Sequence, residues 1–425
     1  MPAEASSSRA AKLIVFVVVF IDLLGFGIVL PLLPVYGDRF VKPVLGTEAG
    51  SVASGIVLGL MMSSFSLMQF LFAPAWGRLS DRIGRRPILL LGLLGSVGAY
   101  ALFGYASSMN PDGQALLALI LLFVSRAGAG IAGATISTAQ AVIADSTRPE
   151  ERRGGMALIG AAFGIGFTFG PLLGAGAMYF APETPWATGA LASALSLAAF
   201  AFASVGLPET RVPGGHSADR KIFDARASMA VLSNPSVGPV ILINFLATIG
   251  FAGFESTLAL LNRDFLGFEE RNNFLVFTFV GFVLAMVNGA YRGMAKRMSE
   301  IPTIAAGIVL MGTGVAGLSL VTMIESSGER WLAAFPSLAL AVAGFGLMTP
   351  GVQSLVSRRA DQNRQGEILG VNQSCSALAR ILGPVLGLTL YRAWPLLPFA
   401  LGGVLVLAML PVLALASRWR APESA

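Results

Sequence analysis

Gly77-Arg78-Leu79-Ser80-Asp81-Arg82-Ile83-Gly84-Arg85-Arg86-Pro87 sets four arginines and one acid between two long apolar runs, 52–75 and 87–106. Its two glycines permit a tight turn, and Pro87 suits the first turn of a following helix. Asp81 can pair with the neighbouring arginines or cap a helix start. By composition the stretch is a basic loop that marks one side of a membrane. The order of its residues is far more specific than that.

The flanking runs belong to a series. Apolar stretches near the ~20 residues that span a bilayer recur at 13–36, 52–75, 87–106, 115–140, 156–180 and 187–206. A second set lies at 237–261, 273–291, 302–323, 333–355, 367–391 and 395–416. The expectation is an all-α membrane protein of twelve transmembrane helices in two pseudo-symmetric six-helix bundles. The N-terminal bundle would occupy 1–206, a polar linker with His216 would occupy 207–236, and the C-terminal bundle 237–425. Composition agrees. Hydrophobic residues make up 55% of the 425 and charged residues 12%, about half the ~25% usual in soluble domains. The mean hydropathy is +0.74. Fifty glycines and 23 prolines inside such runs suit closely packed membrane helices. The first run is too long for a signal-peptide core and holds Asp22, so it is expected to be retained.

Basic residues assign the sides. Six of the 29 lie in alternate loops (Arg39, Lys42, Arg263, Arg271, Arg330, Arg392) and two inside spans, leaving 21 on the side that carries both termini. That side is therefore expected to be cytoplasmic. The net charge of +6 then reports topology and calls for no nucleic-acid partner.

The two halves repeat. Asp145 to Gly154 and then Gly170-Pro171-Leu172-Leu173-Gly174 find counterparts in Ser357 to Gly366 and Gly383-Pro384-Val385-Leu386-Gly387, at offsets of 212 and 213. Gly77 and Arg85 find Gly289 and Arg297 at 212. Duplication of a six-helix unit accounts for matches at one spacing, and parallel repeats of this kind build one transporter architecture. Symmetry stops at the scaffold: Asp81 has Gly293 at the equivalent place. Aligning Gly25-Phe26 with Gly250-Phe251 sets Glu255 eight residues beyond Asp22, ~12 Å along a helix.

Four charges sit clearly inside the spans, away from their ends: Asp22, Arg126, Glu255 and Arg380. Ionisable residues there are costly, about 2.5–3.5 kcal/mol at the centre on insertion scales, and are functional by default. Asp22 could instead be a helix-start residue near the headgroups, and Arg126 could belong to a purely structural ion pair. Arg126 stays charged and calls for an anionic or polar partner within the bundle. Asn244, Asn288, Gln353, Asn372 and Gln373 could line the same route or could hydrogen-bond between helices. Small residues at Gly160, Gly164, Gly166, Gly170 and Gly174 allow close helix approach, and Pro171 adds a kink. Leu207-Pro208-Glu209-Thr210 reads as a helix stop.

The stretch from Gly77 to Pro87 resembles the signature loop of the major facilitator superfamily, at the place where that family puts it. The resemblance covers essentially the whole chain. It implies that Gly77, Asp81, Arg82, Gly84, Arg85 and Arg86 help govern a switch between inward- and outward-facing states. Asp22 to Pro34 resembles the drug:proton antiporter branch, tetracycline-efflux-like members in particular, in which the matching acid belongs to the transport path. Arg126 with Gly130 is similar to a superfamily motif linked to proton transfer. Gly166, Gly170, Pro171 and Gly174 are similar to the motif that marks antiporters, with Ala175 where the family has a further glycine. Residues 302–323 hold no acid where the tetracycline exporters share one, which leaves the substrate open.

Other chemistries lack support. There is one cysteine, Cys375, and one histidine, so no metal cluster or catalytic histidine is expected, and no cofactor. No phosphate-binding Gly-x-x-x-x-Gly-Lys stretch is present, so the energy source would be an ion gradient or the substrate's own. The expectation is a secondary transporter, not an enzyme. It would be a monomeric proton-coupled antiporter in a bacterial inner membrane, exporting an amphipathic, lipophilic or cationic, small molecule or drug from a cavity between the halves. Asp22 and Glu255 would titrate or attract cations, with Arg126, Arg380, Asn372 and Gln373 beside them. The alternatives are a uniporter or symporter for a nutrient, lipid or metabolite, and a transporter-like sensor that binds without flux.

Overall fold

A computed structural model describes residues 2–46, 51–147, 152–182, 184–210, 225–294, 298–360 and 365–418. His216 and the central part of the linker, 211–224, with parts of the basic loops at 148–151, 295–297 and 361–364, lie outside them. Among the described residues every regular element is a helix. In chain order these are α1 (Pro2–Val29), α2 (Leu33–Leu45), α3 (Val52–Ile83), α4 (Arg85–Ser107), α5 (Pro111–Gly133), α6 (Ile136–Asp145), α7 (Arg152–Phe180) and α8 (Trp186–Gly206). There follow α9 (Ala225–Leu232), α10 (Gly238–Leu266), α11 (Glu270–Met294), α12 (Glu300–Val321), α13 (Ser327–Arg359), α14 (Gln365–Ala393), α15 (Leu397–Leu407) and α16 (Met409–Arg418).

All twelve expected runs fall on helices. Ten spans among the described residues are long and apolar enough to cross a membrane, with α5–α6 and α15–α16 each counting as one. An eleventh arises if Leu13–Val29 and Leu33–Leu45, bent by 44° at a short break, are one span. The described apolar part of α7, Gly164–Phe180, is shorter. The chain is thus an integral, multi-pass membrane protein.

Two local expectations change. The first span does not end at 36: after the break, α2 carries the chain on to Leu45 and ends at Gly46 with φ 60°. Pro31 and Pro34 explain the break, because neither can donate to the ladder and each crowds the preceding turn. Helix α2 persists because it is amphipathic, burying Tyr36, Phe40 and Val41 with Asp38, which pairs with Lys42 at 3.1 Å. The signature stretch, read as a loop, is helical through Ile83, so Gly77 lies inside α3 and makes no turn. Gly84 alone turns the chain, at φ 113° and ψ 157°, a region open to glycine and strained for other residues.

Packing divides the chain into two compact units. The first comprises Met1–Gly46, Ser64–Arg220 and Glu269–Gly281, and the second Thr47–Ser63, Lys221–Phe268 and Phe282–Ala425. Within the first, α1 packs on α7 and α4 packs on α5 and α8. Within the second, α12 packs on α13 and α10 on α14. In each unit one of these contacts is made of glycines. A Cβ at Gly170 would stand 2.9 Å from the Gly27 Cα, and one at Gly387 would stand 2.8 Å from the Gly253 Cα. Backbones this close leave no room for a side chain, and dispersion between them is what draws membrane helices together.

Candidate functional site: a partly buried acid and an unpaired arginine

In the first unit Asp22 lies about two turns before the C-terminal end of α1, where apolar neighbours leave it few partners. The Ser96 hydroxyl on α4 donates to its Oδ1 at 2.9 Å, and its Oδ2 faces Gly133 at the end of α5. One turn further along α4, the Tyr100 hydroxyl donates to the Asp22 carbonyl oxygen at 3.4 Å. A Cβ on Gly25 would meet the Tyr100 ring at 2.6 Å, so the glycine lets that ring lie against α1. Beside the carboxyl is a cavity of about 10 Å³ lined by Val18, Leu89, Leu93 and Thr135 among others. That is about the space of one water molecule. The site therefore holds a carboxyl group with one fixed donor and room for one mobile one.

Arg126 sits on α5, 2% exposed. The anionic or polar partner expected for it is not found: Nε and Nη1 have no hydrogen-bond partner, and no ion pair involves the residue among the described residues. Aromatic faces take that place. Its guanidinium carbon lies 4.7 Å from the Phe65 ring centroid on α3 and 5.6 Å from that of Phe26 on α1. Phe26 in turn lies 4.9 Å from Phe65 and 5.7 Å from Phe167 on α7. Desolvated cation–π contacts contribute about 2 kcal/mol, far less than a buried charge costs without a counter-ion.

The antiporter-like glycines are placed by α7 against α1. Gly166 meets the Leu23 side chain, Gly170 and Pro171 meet Gly27, and Gly174 faces the Phe274 ring. The motif thus carries the acid's own helix, one residue along from Asp22.

The second unit has its own pair. Glu255 on α10 and Arg380 on α14 are within electrostatic reach without closing to an ion pair among the described residues. Asn372 belongs to a different contact. The Asn244 amide nitrogen donates to Asn372 Oδ1 at 3.0 Å and to the Ser376 hydroxyl at 2.7 Å, tying α10 to α14. Gln373, Asn288 and Gln353 are exposed and join neither group.

At the signature turn, Arg85 reaches Asp81 at 2.5 Å and Asp145 at 3.2 Å, and also bonds the Ser80 hydroxyl. Arg82 is exposed. The helix stop at 207–210 does more than stop a helix. The Glu209 carboxylate accepts the backbone N–H groups of Arg85 at 2.9 Å and Arg86 at 3.1 Å, capping the start of α4 where Gly84 has no side chain to do so. The Arg86 guanidinium returns a bond to the Ser204 carbonyl oxygen. Asp145 and Glu209 figured in the sequence only as the start of a repeated segment and as part of a helix stop. Ser96 and Tyr100 left one signal, a polar i, i+4 pair within an apolar run.

Residues 15–384 match the family model described as Major Facilitator Superfamily. The chain is 31% identical over 382 residues to the tetracycline resistance protein, class E, of Escherichia coli, across 89% of this chain and 87% of that protein. It superposes on the crystal structure of the human organic anion transporter MFSD10 with a TM-score of 0.64 and 26% identity, covering 96% of this chain and 99% of that one. A D-xylose-proton symporter shares the fold, with a TM-score of 0.72 and 18% identity over 94% and 96%. Family match, relatives and helical architecture agree that this chain belongs to the Major Facilitator Superfamily and is a membrane transporter rather than an enzyme.

Proposed function

We propose that the protein is a proton-coupled antiporter that exports an amphipathic small molecule by alternating access. The observation that carries this reading is Asp22: a carboxyl group inside a membrane helix, held by the Ser96 hydroxyl and without a cationic partner among the described residues. Such a group can take up and release a proton during a transport cycle. The water-sized space beside it supplies room for the exchange. The glycine contact between α1 and α7 ties the same helix to the stretch that resembles the antiporter motif. A tetracycline resistance protein among the relatives fits export of a drug-like molecule. Glu255, with Arg380 near it, is a second candidate for ion coupling in the other unit. The skew of basic residues supports a cytoplasmic side for both termini. Function as a monomer, in a bacterial inner membrane, with the halves 1–206 and 237–425 as the moving parts, completes the proposal.

Reconstituted vesicles test it. A fluorescent efflux substrate should accumulate under an imposed pH gradient, and Asp22→Asn should abolish that dependence while leaving downhill exchange. Gradient-driven accumulation that is unchanged in Asp22→Asn would remove Asp22 from the coupling.

A further inference from the structure

Asp22 shares its cavity with one other polar side chain, and that side chain has no structural task. Thr135 stands at the break between α5 and α6, within what counts as a single membrane span. A threonine at the position before a helix ordinarily accepts an N–H bond from the turn that follows. Thr135 has no such bond, and its hydroxyl meets no partner among the described residues. It lines the cavity beside Asp22 instead. Gly92 of α4 makes room for it, since a Cβ there would stand 2.6 Å from the Thr135 methyl carbon and 3.1 Å from its Oγ1. The same point lies 3.0 Å from the Ala132 carbonyl oxygen. A water in the cavity thus has the Asp22 carboxyl, the Thr135 hydroxyl and a backbone carbonyl around it, which meets the ~3 polar partners of a typical buried water.

The two carboxyl oxygens differ. Ser96 holds Oδ1 at 2.9 Å, which leaves Oδ2, facing Gly133 at the same break, to carry a proton. Towards the N-terminal end of α1 the interior is filled by buried apolar side chains, among them Val15, Leu89, Val142, Ile143 and Leu207. Thr135 is only partly buried, and so is Ser137 beyond it, whose hydroxyl donates to the Ala73 carbonyl oxygen on α3 at 3.4 Å. No other titratable group lines the cavity. Tyr100 on α4 is bonded to the α1 backbone, and Arg126 on α5 lies on Phe26 and Phe65. Of the other helices packed on α1, α6 carries charge only at its last residue, Asp145, α7 only at its start, Arg152 and Arg153, and α8 carries none.

We infer that Thr135 is the group through which Asp22 exchanges its proton, by way of one water in the cavity, with Ser96 as the positioning residue. This rests on the reading of Asp22 as the coupling acid and names the route to it. For uptake, a hydronium ion gives a proton to the Thr135 oxygen, the hydroxyl's own proton passes to the cavity water, and one from that water passes to Oδ2. Each O–H bond broken is replaced by one formed, and the carboxylate ends neutral. Release runs in reverse.

The test needs no substrate. The full chain in lipid nanodiscs is taken through a pH jump, and protonation of Asp22 is followed by the infrared carboxyl stretch that Asp22→Asn lacks. Thr135→Val keeps the shape of the side chain and loses the hydroxyl. It should slow protonation by at least about tenfold, since a positioned transfer group contributes ~10²-fold or more, and leave the midpoint pH in place. Thr135→Ser should restore the rate. Gly92→Ala fills the cavity with both hydroxyls kept; it should slow protonation as well, and it stands in if Thr135→Val does not fold. Ser96→Ala should shift the midpoint and spare the rate. Protonation as fast in Thr135→Val and Gly92→Ala as in the unaltered protein, or a shifted midpoint with no change of rate in Thr135→Val, would overturn the route. Transport separates it from the antiport reading. Thr135-dependent titration of Asp22 in a protein whose transport ignores the pH gradient keeps the route and removes antiport. Gradient-driven transport that needs Asp22 but runs equally fast in Thr135→Val does the reverse, and an Asp22 that never titrates overturns both.

Discussion

Glu209 shows how much a single side chain can add to a turn that the sequence left unexplained. Its carboxylate closes two backbone N–H groups at the start of α4, beside a glycine that is there because its φ is positive. A helix start without its cap loses about 1 kcal/mol. Glu209→Ala should therefore speed amide hydrogen exchange at residues 84–88 severalfold, while Glu209→Gln, which keeps an acceptor but not the charge, should speed it less. Equal exchange in all three proteins would show that the cap contributes nothing. Asp22 and Arg126 were legible in the sequence because a charge inside an apolar run stands out. Their surroundings were not. Ser96, Tyr100, Phe26 and Phe65 are ordinary members of apolar spans, and only the packing of α1, α3, α4 and α5 gathers them. Asn372 and Gln373, adjacent in sequence and read together, part company because successive helical positions face about 100° apart: one is buried in a hydrogen-bond cluster and the other exposed.

Among the elements, the glycine contacts α1–α7 and α10–α14 carry the repeat into three dimensions. A methyl group at Gly170 would stand 2.9 Å from the Gly27 Cα and the Leu24 carbonyl oxygen, and one at Gly387 would stand 2.6 Å from the Gly253 carbonyl oxygen. Both neighbours are backbone, so relief requires the helices to part. Gly170→Ala and Gly387→Ala should each destabilise by about 1–3 kcal/mol, the range for overpacking, read as a lower thermal midpoint in detergent. Gly98→Ala, with open space at its Cβ, is the control and should leave the midpoint unchanged. A tolerated Gly170→Ala would mean that the motif serves something other than close approach. The membrane-spanning helices were legible, since composition alone marks a membrane span, while the short α9 inside the expected linker was not. Helix ends were less so. The three-residue break at Leu30–Leu32 and the continuation of α2 to Leu45 depend on burying Tyr36 and Phe40, which no local pattern around the prolines announces. The helical signature stretch shows the converse: basic composition reads as a loop, while α3 continues past the apolar run to Ile83.

For the whole molecule, family membership and transport follow from the match over residues 15–384 and from relatives that are themselves transporters or resistance proteins. The central claim beyond them is exchange of a substrate for protons, and the most direct measurement is internal pH. Vesicles containing the protein and a trapped pH dye, free of substrate inside, are given substrate outside at equal pH. Antiport predicts that substrate entry drives protons out, so the lumen becomes alkaline beyond the change seen in protein-free vesicles, and that Asp22→Asn abolishes the excess. That prediction holds whichever way the protein is inserted. A lumen that acidifies as substrate enters, or one that does not change while substrate accumulates, would contradict it.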